Sequence, residues 1–382
     1  MDNNFWPKRL FTLDVSRSFA ALAVVLSHWH HFSLDEGFDR TTLPLYSILK
    51  IFYENGFMAV AYFFLVSGFI FFWLYKCPIK NKELNFGKFW IQRISRLYPL
   101  HLITLLIVAL LQTIYSSYNG NSFYGGVNDI YHFFLHLGFA SNWGFDSGFS
   151  FNVPVWSVSV EILVYFIFFI IAYNKIGGAL FCLSTSIIFI TLIPFANHYH
   201  HVLVLKGIGA FFLGGFIFHL TFLISSTKLQ SLKLLIYGVT ILFWFLTIIH
   251  LYVFNFSDFI LKFGMIGTMF THGFPYAILF PFTVLALAIV GIDKVQFLKS
   301  ISWVGDITYS TYLLHFPLQI IFALFVSYGI LSQNFYLNPV YLVIFFFILI
   351  PLSYFTFIGF ERPVQNIIRN KYKTACTIKG TN

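Results

Sequence analysis

The chain alternates between long apolar stretches and short polar connections. Five stretches contain no Asp, Glu, Lys or Arg, and five more are interrupted by a few polar groups. A helix that crosses a bilayer needs about 20 mostly apolar residues. The pattern therefore predicts ten membrane spans, at residues 10–32, 55–75, 97–115, 153–173, 176–196, 202–224, 234–250, 273–292, 307–326 and 340–360.

The connections between these spans are too short to form a domain of their own. None exceeds about 40 residues, and no repeat or low-complexity tract is visible. We therefore expect an all-α, polytopic transmembrane helical bundle that forms a single membrane domain over residues 1–382. Residues 361–382 are predicted to form a basic cytoplasmic tail.

The composition excludes several classes of protein. Hydrophobic residues make up 58% of the chain and charged residues only 10%, whereas soluble proteins carry about a quarter charged residues. This excludes a cytosolic enzyme, a disordered chain and a nucleic-acid-binding module. The three cysteines are scattered, so neither a disulfide framework nor a metal site is expected.

The basic residues predict the orientation in the membrane. Eighteen of the 23 fall on the terminal segments and the even-numbered connections, which places both termini in the cytoplasm. The connection at 116–152 then lies outside. Its Tyr118, Tyr124, Tyr131 and Trp143 suit stacking on sugars, although an aromatic belt at the membrane interface is the commoner explanation.

Two ionisable residues interrupt the first span. Arg17 and His28 are eleven residues apart, which is nearly three helical turns and about 16 Å of rise. They therefore project from about the same face and would line one wall of a cavity. The alternative is that Arg17 pairs with Asp14 and that His28 is interfacial, like His30 and His31.

Two further signals involve charged side chains near the membrane. Arg93 and Arg96 precede the third span at a spacing that could hold phosphates, although basic residues also commonly flank spans on the cytoplasmic side. Glu161 lies about 12 Å inside the fourth span. A carboxylate there could be a partner of a general base, a proton relay or the partner of an arginine.

Taken together, these stretches resemble the acyltransferase 3 family of integral-membrane acyltransferases. The resemblance covers nearly the whole chain and comprises the segment 13–28 with Arg17 and His28, 64–69 with Ser67, 89–99 with its RxxR motif, Trp156-Ser157 with Glu161, 307–317 with His315, and Glu361-Arg362-Pro363. Val158 departs from the leucine that is commoner in the family. No fused hydrolase-like domain is visible, which argues against a second acyl-transfer step within this chain.

The resemblance implies a function and roles for these residues. The donor would be cytoplasmic acyl-CoA, usually acetyl-CoA, and the acceptor a hydroxyl of an extracytoplasmic glycan or lipid-linked saccharide at a bacterial inner membrane. His28 would act as general base or transient acyl carrier together with Glu161 and Arg17, since an imidazole titrates near pH 6.5. Arg93 and Arg96 would bind CoA, with support from Ser67, Trp156, Ser157 and His315.

Other functions stay open on the residues alone. Intramembrane Arg, His and Glu would equally suit a proton-coupled transporter or a flippase, and a non-catalytic scaffold is a third reading. His198, His200 and His201 could bind a metal, but an exposed polar turn is favoured because no carboxylate or cysteine accompanies them.

Overall fold

The computed structural model describes residues 6–7, 9–33, 38–124, 126–227, 229–256, 260, 262, 264, 273–292 and 296–379. Within these ranges every regular element is helical. The α-helices are α1 (Phe11–Ser27), α2 (Tyr46–Asn55), α3 (Ala59–Leu74), α4 (Lys76–Lys80), α5 (Phe86–Asn119), α6 (Ile130–Leu137), α7 (Trp156–Tyr173), α8 (Ala179–Thr191), α9 (Tyr199–Ser226), α10 (Gln230–Tyr252), α11 (Phe280–Ile292), α12 (Trp303–Asp306), α13 (Thr308–Ser327), α14 (Pro339–Thr356) and α15 (Arg362–Lys379).

The prediction of a polytopic helical protein is confirmed. Eight helical segments of the described chain are long and apolar enough to cross a membrane, and each overlaps one predicted span. The other two predicted spans are also helical but shorter. The first is the 17-residue α1 followed by a 3₁₀ turn over His28–Phe32, and the other is α8 followed by a 3₁₀ turn over Ile193–Phe195.

The two largest differences from the hydropathy pattern are at the ends of two helices. The third span begins at Phe86 rather than near residue 97, because the Asn85 side chain accepts a hydrogen bond from the backbone N–H of Lys88 and caps the helix there. Arg93 and Arg96 thus lie inside α5 and not on a flank before it. At the other end of the chain, a π-helical turn over Phe357–Glu361 joins α14 to α15, so the segment predicted as a tail starts within a continuous helical run.

The helices form two compact units, each assembled from separate stretches of chain. The first comprises residues of Met1–His28, Tyr46–Cys77 and Asn174–Gly305, and the second comprises residues of Trp29–Leu45, Pro78–Tyr173 and Asp306–Asn382. The single membrane domain stays a prediction. The sequence-predicted site residues are divided between the units, and each unit is described by itself.

Many large apolar side chains point outward from the membrane-length helices. In α10, Leu234, Leu235, Ile241 and Phe245 are all more than half exposed, and Phe347 of α14 is 78% exposed. Water would not tolerate such a continuous apolar surface, whereas the hydrocarbon core of a bilayer would. The chain is therefore an integral membrane protein.

Glycines allow α3 and α9 of the first unit to pack backbone against backbone. A Cβ atom on Gly68 would overlap the carbonyl oxygen of Phe211, and one on Gly214 would overlap the carbonyl oxygen of Leu65. Small residues at helix contacts permit this close approach in membrane proteins. Gly68 immediately follows Ser67, so the packing also fixes the position of that serine on α3.

We expect Gly68→Ala and Gly214→Ala each to lower the free energy of unfolding by about 1–3 kcal/mol, because the added methyl group forces the two helix backbones apart. Gly238→Ala in α10 is the matched control, since a Cβ there meets nothing within 4 Å and alanine is the better helix former. Thermal unfolding in detergent measures the effect. Equal midpoints for all three variants would contradict the packing argument.

Candidate active site

Arg17 lies in the first unit, half-buried on α1. Asp14 accepts a hydrogen bond from Arg9, and its pairing with Arg17 stays a prediction. The nearby Tyr62 hydroxyl donates a hydrogen bond to the Ser16 hydroxyl at 2.6 Å and interacts electrostatically with Arg17. The arginine is thus held in a polar group of side chains on α1 and α3.

His28 ends α1, and the helix is unbroken from Phe11 to Ser27. The eleven-residue spacing is therefore kept, and His28 and Arg17 project from nearly the same face of α1. His28 itself has φ −80° and ψ −1° and begins the 3₁₀ turn, where it is half-buried. A Cβ on Gly56 would overlap the Ala23 carbonyl oxygen, so the chain after α2 lies directly against the last turn of α1.

A cavity of about 840 Å³ lies in the first unit, between α1, α2, α3, α10 and α11. Most of its lining is apolar, but Ser16, Lys50, Glu54 and His250 contribute polar groups. The Lys50 ammonium donates to the carbonyl oxygen of Leu251 at 2.7 Å. A cavity with an apolar body and a few charged groups suits an amphiphilic molecule.

The second unit contains Arg93 and Arg96, both half-buried on α5. Sequence analysis missed a third arginine beside them. The Arg369 guanidinium on α15 donates to the Ser95 hydroxyl at 3.1 Å and to the Gln92 carbonyl oxygen at 2.9 Å. Three guanidinium groups thus lie on two helices that pack together. Guanidinium groups recognise phosphate through paired hydrogen bonds.

A buried carboxyl group of the second unit interacts with one of these arginines. Glu361 is only 3% exposed and ends the π-helical turn; such turns frequently occur at functional sites. The Ser310 hydroxyl donates to its Oε2 atom at 2.7 Å, and Arg96 interacts with it electrostatically. Glu361 is therefore one source of opposite charge in the surroundings of Arg96.

Two tyrosines on α13 connect this group to Glu161. Tyr309 donates to the Leu97 carbonyl oxygen at 2.6 Å and interacts electrostatically with Arg96, Glu161 and Glu361. Glu161 accepts a hydrogen bond from Tyr165 on its own helix and interacts electrostatically with Tyr312 as well. A series of hydroxyl and carboxyl groups thus extends from α5 through α13 to α7.

Ser157 and His315 both lie next to Tyr312. Its hydroxyl donates to the Pro154 carbonyl oxygen at 2.6 Å and lies 2.8 Å from the Ser157 hydroxyl. His315 is fully buried, and its Nδ1 donates to the Tyr312 carbonyl oxygen at 2.6 Å. Trp156 is half-buried and begins α7.

The second unit therefore brings together Arg96, Glu161, Ser157 and His315 around α13, while Arg17, His28 and Ser67 belong to the first unit. Sequence reasoning assigned no role to Tyr309, Tyr312, Glu361 or Arg369. The two tyrosines and Glu361 stand in stretches that carried the family resemblance, so a local signal existed for them. Arg369 had none, because its partners on α5 are 274 and 277 residues away.

The aromatics of the connection between α5 and α7 have different surroundings. Tyr118 and Tyr131 are more than half exposed, whereas the ring centroid of Tyr124 lies 3.6 Å from that of His31. The Trp143 indole donates to the Ser159 carbonyl oxygen at 2.8 Å and so ties the connection to α7. Tyr118 and Tyr131 are thus the most exposed of these four aromatic side chains.

In the part of the chain that the structure describes, no group of three or more His, Cys, Asp or Glu side chains is arranged to hold a metal ion. His198 and His201 are exposed and His200 is half-buried, in agreement with a polar turn before and within the first turn of α9.

Comparison with known proteins gives two matches. A family model described as an acyltransferase domain matches residues 10–358. The chain is also 32% identical over 165 residues to the acyltransferase MdmB of Streptomyces mycarofaciens, a match that covers 42% of this chain and 38% of that protein. No solved structure matches the chain.

Proposed function

The chain belongs to the acyltransferase 3 family, and on this premise we propose that it is a membrane O-acyltransferase of the bacterial inner membrane. It moves an acyl group, most simply acetyl, from cytoplasmic acyl-CoA to a hydroxyl of an extracytoplasmic glycan or lipid-linked saccharide. The observation that carries the proposal is the family match over residues 10–358, which includes every residue to which the sequence assigned a role.

The arginines of the second unit support an acyl-CoA donor. CoA carries several phosphate groups, and guanidinium groups bind phosphate bidentately. Arg93, Arg96 and Arg369 lie on α5 and α15 on the side that the charge count predicts to be cytoplasmic. Glu361 and Tyr309 of the same unit interact electrostatically with Arg96.

His28 is proposed as the general base. It takes the proton of the acceptor hydroxyl while the new C–O bond forms and the C–S bond of the thioester breaks, and the CoA sulfur then takes up a proton. A transient acyl-histidine is the other route open to the same side chain. Arg17, on the same face of α1, stabilises the negative charge that develops on the carbonyl oxygen.

The cavity of the first unit supports an amphiphilic acceptor. Its apolar lining suits the hydrocarbon chain of a lipid-linked saccharide, and Lys50 suits a phosphate near one end of that chain. Ser16, the neighbour of Arg17, is part of the lining. The cavity thus extends to the helix that carries Arg17.

The test of the function is transfer from radiolabelled acetyl-CoA by the purified protein in lipid nanodiscs. We expect labelled acetyl to appear on a lipid extract or surface glycan fraction, or as free acetate when acceptor is absent. A transporter or scaffold would leave the thioester intact. The sample must first show a thermal unfolding transition, which establishes that the protein is folded. If such protein leaves acetyl-CoA intact with every acceptor fraction, the proposal is contradicted.

We expect Arg93→Lys and Arg96→Lys each to weaken binding of CoA about tenfold, because lysine keeps the charge but loses the planar pair of donors. Isothermal titration with CoA measures the effect. Arg362→Lys, at an exposed position of α15, is the control and is expected to bind CoA like the wild type. Unchanged affinity in all three variants would reduce the arginine pair to a signal of membrane orientation.

A further inference from the structure

The connection between α5 and α7 contains three side chains in the order of a catalytic triad. The His132 Nδ1 atom lies 2.7 Å from Asp129 Oδ1, and its Nε2 atom lies 3.1 Å from the Ser147 hydroxyl. All three residues belong to the second unit. None of them has a role in the function proposed above.

The hydrogen bonds fix which nitrogen of His132 carries the proton. The backbone N–H of Ser147 points at Nε2, with the two nitrogens 3.2 Å apart. A backbone N–H can only donate, so Nε2 must be the unprotonated nitrogen and Nδ1 must donate to Asp129. The one lone pair of Nε2 is therefore shared by the backbone N–H and the hydroxyl of Ser147, and this is the tautomer that takes a proton from a serine hydroxyl once the lone pair turns to it.

Asp129 is fixed by the helix that follows it. It is the N-cap residue of α6, and its Oδ1 atom accepts the backbone N–H of His132 at 2.8 Å as well as the imidazole N–H. These two hydrogen bonds hold the pKa of the Asp129 carboxyl below its ordinary value. Because the folded-state pKa is lowered, the carboxylate stays ionised through neutral pH and loses its charge only as the pH falls through that lowered pKa.

The accessibility of His132 and Ser147 fits a triad, whereas the Asp129 side chain is 51% exposed. The His132 side chain is 3% exposed, whereas Ser147 is exposed at the surface. A shielded base with an accessible hydroxyl is the arrangement that a serine nucleophile needs. The charge count predicts that this connection lies on the non-cytoplasmic side.

We propose that Ser147, His132 and Asp129 form a second, serine-based acyl-transfer site that acts on carboxylic esters outside the membrane. This differs from the expectation that a chain without a fused hydrolase-like domain has no second acyl-transfer step. The proposal stands on the loop geometry and does not require the acetyl-CoA activity proposed above.

The reaction proceeds in two balanced steps. The Ser147 oxygen attacks the ester carbonyl, its proton passes to His132 Nε2, and the alcohol leaves with that proton as the C–O bond of the ester breaks. A water molecule or an acceptor hydroxyl then attacks the acyl-serine, gives its proton to Nε2, and the serine recovers it. No oxidant, metal or other co-reactant is needed.

If these residues only held the loop in place, not all three side chains would be needed. The backbone N–H of Ser147 already attaches the loop to His132, so the hydroxyl is not needed for that purpose. Ser147→Ala keeps the backbone hydrogen bond and removes only the nucleophile. Asp129→Asn keeps an equally good N-cap for α6 but removes the negative charge that stabilises the imidazolium formed when His132 takes the serine proton.

The test is labelling of the full-length protein in detergent by a fluorophosphonate, which reacts covalently with activated serines. We expect one adduct, located on Ser147 by peptide mass spectrometry, and none in Ser147→Ala. Asp129→Asn is expected to label at least about 100-fold more slowly, since loss of the aspartate in a known triad costs about 10⁴-fold. Ser117→Ala, which changes an exposed serine near the end of α5, is expected to label like the wild type.

Two results would overturn the proposal. One is the absence of an adduct on Ser147 in wild-type protein whose thermal unfolding transition shows that it is folded. The other is labelling of Asp129→Asn at the wild-type rate. The acetyl-CoA assay is run on the same samples. If Ser147→Ala fails to label but still transfers acetyl, the second site is supported and independent of the first; if acetyl-CoA is untouched while Ser147 labels, only the proposed transferase function fails.

Discussion

His28→Ala is expected to lower acetyl transfer by about 10²–10⁴-fold, which is the usual contribution of a positioned general base. The imidazole lies at the end of α1, on nearly the same face as Arg17 and eleven residues further along the helix. Alanine removes the proton acceptor but leaves the helix intact. The initial rate with saturating acetyl-CoA, divided by the amount of folded protein, is the measurement.

His30→Ala is the matched control for this loss. His30 lies in the same 3₁₀ turn, is also half-buried, and packs by its ring against His31. A general effect of losing a histidine in this turn would appear in both variants, whereas a role as base appears only at position 28. Retention of more than about a tenth of the wild-type rate in His28→Ala would remove His28 from the mechanism.

Arg96→Gln is expected to destabilise the protein by about 1–3 kcal/mol, because it removes a positive charge that interacts favourably with the buried Glu361. Glu361 is 3% exposed, and the carboxylate of Asp306 adds electrostatic repulsion. The hydrogen bond from Ser310 offsets only part of the loss. Thermal and denaturant unfolding in detergent are the measurements.

The double variant Arg96→Gln with Glu361→Gln separates this explanation from loss of packing. Removal of both charges is expected to restore most of the stability, since replacing a buried ion pair by neutral groups is often close to neutral. CoA binding is expected to stay weak, because the guanidinium is still absent. Arg362→Gln, exposed on α15, is the control at a basic position without a buried partner. A double variant as unstable as the sum of its single variants would refute the pairing.

Local pattern determined the class of the protein and most of its spans. Apolar runs of about 20 residues correspond to helices because a bilayer leaves the backbone no other partners for its hydrogen bonds. The relation between Arg17 and His28 was also predictable, since both lie on one helix and helical periodicity alone sets their faces. Such features depend only on residues that are near one another in the chain.

The start of α5 shows where hydropathy stops being informative. Its apolar part was identified, but the helix begins eleven residues earlier at the Asn85 cap and carries Arg93 and Arg96 within it. A hydropathy window detects only the part that faces hydrocarbon. Where a helix begins depends on capping and on packing against α15, which hydropathy does not record.

The composition of the candidate sites was decided by tertiary structure. Ser310 and Glu361 meet across 51 residues, and Arg369 reaches α5 across 274 residues. The sequence supplied the residue types, and for His132 and Asp129 a helical spacing, but it could not supply the approach of Ser147 to that histidine. Contacts between distant segments are set by the packing of whole helices and the path of their connections, because many side chains determine each approach together and no single stretch encodes it.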